Sequence, residues 1–104
     1  MVVEMEKVKI VVVEPNKKPY EKLINNTMTE IYGLVYYPYK EIQIQKEIYV
    51  IYSKEATQNK DKNFTKNRKI NALDIYGTFV IVSKKDNEIT SLTDKQINTV
   101  KEFF

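Results

Sequence analysis

Asn67 and Arg68 are the residues of this chain best equipped to hold an anion. Arg68 is the one arginine among seventeen cationic side chains. A guanidinium grips a phosphate or carboxylate through two parallel hydrogen bonds, where an ammonium offers a point charge. Asn67 can donate and accept alongside it. A run of tyrosines, Tyr32, Tyr36, Tyr37, Tyr39, Tyr49 and Tyr52, supplies rings that stack on a base or pack in a protein interface. Both features also have a plainer reading. Arg68 would tie a surface loop to a carboxylate such as Asp74, and the tyrosines would form a half-buried sheet face, which their strand preference favours.

Reaction chemistry has little to work with. Histidine and cysteine are absent, which removes the commonest general base, the strongest nucleophile and the usual transition-metal ligands. Ser53, Ser83 and Ser91 stand in no nucleophile-elbow context. Asp74, Asp86, Glu88 and Asp94 are available, but nothing in the spacing pairs two of them. Two glycines in the whole chain leave no glycine-rich phosphate loop. The inventory points to a non-enzyme with no metal centre and no cofactor.

The elements that must position these residues read as one small α+β domain over residues 1–104: a mixed or mainly antiparallel sheet of four to five strands with a C-terminal helix on one face. Residues 7–13 alternate and then turn wholly apolar, as in a strand buried on both faces. Pro15, Asn16 and Pro19 mark a turn. Residues 25–33 suggest a short helix with an Asn or Thr cap and Gly33 as its stop. Residues 34–39 read as an aromatic strand or strand edge. The period-two series Ile42, Ile44, Ile48, Val50, Tyr52 fits a long strand or a hairpin turning near Gln45-Lys46. Residues 53–66 read as a polar loop, residues 78–83 as a buried strand, and residues 84–87 as a hairpin turn. Thr93 and Gln96 have capping-box spacing, Leu92 and Ile97 staple spacing, and Ile97, Val100 and Phe104 share one helical face.

Charge is less informative. The net charge is +3 with a pI near 9.0, and the excess sits in residues 54–69. There Lys54, Lys60, Lys62, Lys66, Arg68 and Lys69 face only Glu55 and Asp61. With Phe64 alone interleaved, the stretch reads as a solvated loop, and nucleic acid is a disfavoured partner. No apolar run approaches the ~20 residues of a membrane span, and the start lacks a signal-peptide pattern. A reducing cytoplasm is the expected location.

Three motifs carry a family resemblance: the opening Val11-Val12-Val13-Glu14-Pro15-Asn16-Lys17-Lys18-Pro19-Tyr20, the Asn67-Arg68 pair, and Asp74-Ile75-Tyr76-Gly77-Thr78-Phe79 followed by Ser91-Leu92-Thr93-Asp94-Lys95-Gln96. Their order resembles an uncharacterised domain of unknown function that recurs in bacteriophages and integrative elements of low-GC Gram-positive bacteria. The helix at 25–33 departs from that family, in which a longer helix precedes a Gly-Gly pair. The resemblance implies a phage or mobile-element accessory protein acting in the bacterial host cytoplasm. The expected role is counter-defence by sequestering a small anionic, nucleotide-type immune signal, with homo-oligomer formation considered. Asn67, Arg68, Tyr36, Tyr37, Tyr39 and Thr78 are its candidate contacts. The alternatives are a protein–protein inhibitor of a host defence enzyme and a nucleic-acid-binding module.

Overall fold

Period-two hydrophobicity sets the architecture of the computed structural model, which describes residues 7–25, 28–59 and 64–104. Residues 1–6, the capping candidates Asn26 and Thr27, and the lysines Lys60 and Lys62 of the polar stretch lie outside the described residues. Strands β1 (Lys7–Val13), β2 (Tyr20–Asn25), β3 (Tyr39–Gln45), β4 (Ile48–Ser53), β7 (Phe79–Lys85) and β8 (Glu88–Thr90) form a six-stranded sheet. Its order is β2-β1-β7-β4-β3, with β8 also paired to β7, and each pairing is antiparallel. A second, two-stranded sheet joins β5 (Lys66–Ile70) to β6 (Leu73–Tyr76).

Alternation along the central strands divides the core in two. Val11, Val13, Val50, Tyr52, Phe79 and Ile81 point to one face, where Ile97 and Val100 of α3 (Asp94–Phe103) and Ile70 and Ile75 of the small hairpin cover them. Val8, Ile10, Val12, Ile51, Val80 and Val82 point to the other, beneath Ile31 and Val35 at and after α1 (Met28–Tyr32). The protein is therefore α+β, with more strands than the four to five expected.

Two readings change, and one left open is decided. Residues 34–39 turn rather than extend, and β3 begins only at Tyr39. Part of the 53–66 stretch is helical: Ser53 Oγ accepts from the Ala56 amide at 3.1 Å and caps α2 (Lys54–Asn59), which buries Ala56 and Thr57. The Ile42–Tyr52 series is a hairpin, turning at Lys46-Glu47 with Glu47 at φ 66°.

α3 carries the cap its sequence specifies. The Gln96 amide donates to Thr93 Oγ1 at 3.1 Å, and the Thr93 amide donates to Gln96 Oε1 at 2.8 Å. Leu92 and Ile97 are both buried, as a staple requires.

Candidate functional site

Asn67 and Arg68 form a clamp at one end of the sheet. β5 delivers them, and the hydrogen bonds run to main chain from four parts of the molecule. Asn67 Nδ2 donates to Val13 O and Gly77 O, each at 2.9 Å. Its Oδ1 accepts from Arg68 Nη1 at 2.9 Å, which fixes the amide's orientation. Arg68 donates through Nε and Nη2 to Phe104 O at 3.2 and 3.1 Å, through Nη2 to Lys17 O at 2.7 Å, and through Nη1 to Glu14 O at 3.4 Å. With Asn67 included, that engages each of the five guanidinium N–H groups. Asp74 is not its partner: the Lys66 ammonium stands 3.6 Å from Asp74 Oδ1, an oxygen that accepts no hydrogen bond.

The clamp builds a basic cleft. By holding Lys17 O and Phe104 O together, Arg68 sets the Asn16–Pro19 turn against the end of α3. The space between is about 710 Å3, with Lys17, Lys18, Lys101 and Arg68 around it and Phe104 in its wall. That volume falls within the range of small-ligand sites. Lys17 and Lys18 are exposed and make no ion pair among the described residues. Lys101 lies 3.7 Å from Glu21, an exposed and weak pairing. Lys17 and Lys18 are therefore free to meet an anion and Lys101 is held only by that weak pair, while Arg68 adds its charge from the wall.

The candidate tyrosines Tyr36, Tyr37 and Tyr39 divide between two other places. Tyr37 and Tyr39 join Tyr32, with ring centroids 5.5 to 6.1 Å apart. A hydrogen bond with Tyr32, and then burial, push the Tyr39 phenol above its ordinary pKa. Tyr36 instead packs on Phe64 at 5.1 Å. These two rings, with Thr78, Leu34 and Pro15, line a slot of about 260 Å3.

The six candidate contacts thus fall into three groups: Asn67 and Arg68 at the clamp, Tyr36 and Thr78 in the slot, Tyr37 and Tyr39 in the ring cluster. Sequence reasoning passed over Lys17, Lys18 and Lys101. The first two stand in the turn that opens the family motif, a local signal. Lys101 is brought in only by tertiary structure. Among the described residues, no group of three or more acidic side chains is placed to hold a metal ion, and no helix is long and apolar enough to cross a membrane.

Fold and site define a small α+β domain with a clamped basic cleft at one end of its sheet. The chain belongs to the family described as a domain of unknown function, DUF3846, which it matches over residues 8–104. No curated protein and no solved structure matches it.

Proposed function

We propose that this is a non-catalytic binding protein that takes a small anionic ligand of nucleotide type into the cleft between the Asn16–Pro19 turn and α3. The observation that carries this is the convergence of Lys17, Lys18 and Lys101 on a cleft of ligand size, with the Arg68 guanidinium in its wall. The absence of histidine and cysteine favours holding a ligand over transforming it. In the bacteriophage and mobile-element setting that the motifs suggest, the role is counter-defence: sequestering a nucleotide immune signal in the host cytoplasm.

Calorimetric titration with nucleotides tests the cleft. The double substitution Lys17→Gln/Lys18→Gln should weaken binding at least tenfold with an unchanged melting temperature, because both side chains are exposed. Unchanged affinity would remove the cleft from consideration. Heat-denaturing the complex should return the ligand chemically intact, whereas a converted product would mean an enzyme.

A second reading, inhibition of a host defence protein, is favoured by the exposure of Tyr32, Tyr36 and Tyr37 at 45%, 56% and 65%. Surface tyrosine is what protein interfaces enrich. Native mass spectrometry separates the two, since a nucleotide adduct supports the first and a stable hetero-complex without nucleotide the second.

A further inference from the structure

The slot beside Tyr36 has no part in the cleft's charge, yet the two linings meet in one turn of the chain. Pro15 lines the slot and the next residue, Asn16, lines the basic cleft. Asn67 ties the two linings together, donating to Gly77 O of the slot and accepting from Arg68 of the cleft. At about 260 Å3 the slot is smaller than the 300–1,000 Å3 that houses a whole drug-sized ligand. It has room for one ring system.

Its lining suits a flat heterocycle. The Tyr36 and Phe64 planes are tilted 59° to each other, so they make two sides of a corner. A ring entering it lies against one face and meets the other edge-on, both favoured aromatic geometries. Gly77 at φ 80° holds the floor down, since a Cβ there would come within 3.3 Å of the Phe64 ring. Thr78 lines the slot, and its hydroxyl makes no hydrogen bond within the described residues, which leaves a donor and an acceptor for ring heteroatoms.

Building on the anion-binding reading above, we infer that cleft and slot are two halves of one site. The phosphate of the ligand meets Lys17, Lys18 and Lys101, and its base occupies the Tyr36–Phe64 corner. The ligand class is thereby narrowed to a nucleotide whose phosphate and base reach across the Pro15-Asn16 turn.

Titration with pyrophosphate and with ADP reads the halves apart. ADP should bind more tightly than pyrophosphate. Tyr36→Ala should weaken ADP about five- to a hundredfold, the range for loss of one base–aromatic stack, and leave pyrophosphate unaffected. Tyr36→Phe keeps the ring and should restore ADP affinity. Tyr36 is more than half exposed, so its removal leaves the core intact. Equal affinities for ADP and pyrophosphate, or ADP affinity untouched by Tyr36→Ala, would overturn the base slot and leave the anion cleft standing. Failure of both probes to bind would overturn the anion reading and this inference with it.

Discussion

Arg68 shows how a residue can be conspicuous in sequence for one reason and used in structure for another. Its rarity among lysines marks it, and bidentate chemistry suggests an anion. In the fold its N–H groups are taken by main-chain oxygens of Glu14, Lys17 and Phe104 and by Asn67. Main-chain acceptors have no residue-type signature, so no reading of the sequence could have found them. Arg68→Ala should therefore destabilise the domain by on the order of 2–3 kcal/mol, the loss of several charge-assisted hydrogen bonds. For a domain of this size, a loss of ~1 kcal/mol lowers the melting temperature by about 4–8 °C. Ligand affinity should fall as well, because Lys17 loses its anchor. Arg68→Lys should recover only part of the stability, since one ammonium cannot span acceptors placed for a planar fork. A melting temperature equal to the parent's for Arg68→Ala would remove the clamp from the argument.

Elements were legible where the sequence alternates against a core and illegible where it does not. β1, the β3–β4 hairpin, β7 and α3 each bury a regular set of apolar side chains and could be read. β2 is an edge strand with only Ile24 buried, and its Tyr20 and Leu23 are exposed, so its apolar residues trace no buried face. The β5–β6 hairpin buries Ile70 and Ile75 and turns on Asn71-Ala72, both at positive φ, without the glycine that usually announces such a turn. α3 allows the sharpest test at this scale. Thr93→Ala removes the capping hydroxyl and should cost about 1 kcal/mol. Leu92→Ala should cost more, on the order of 2–5 kcal/mol, because Leu92 is buried in the core cluster on the α3 side of the sheet as well as serving as the staple. Equal denaturation midpoints for the two variants would mean that the staple position contributes no packing beyond the cap.

At the scale of the whole molecule, tyrosine rather than histidine governs the response to pH. The chain has no histidine or cysteine, so no side chain has an ordinary pKa between about 5 and 8. Three tyrosines are pushed upward instead: Tyr52 by burial, Tyr20 by burial and then by Glu14, and Tyr39 by its hydrogen bond with Tyr32 and then by burial. The sign follows from linkage. A raised folded-state pKa means that the fold favours the protonated phenol. Below the unfolded-state value of about 10, phenols in both states keep their protons and stability is at its full value. As pH rises past that point the unfolded chain sheds protons first, and stability is lost until the folded-state values are also passed. Melting temperature should therefore be nearly flat from about pH 6 to 9 and fall above about pH 10. Tyr52 is 7% exposed and packs against the α3 side of the sheet, so its ionisation is the one most opposed by burial. Tyr52→Phe keeps the ring and removes the titrating group, and it should make the alkaline fall shallower. A melting curve that drops between pH 6 and 8, or an alkaline fall as steep in Tyr52→Phe as in the parent, would show that something other than buried phenol sets the upper limit.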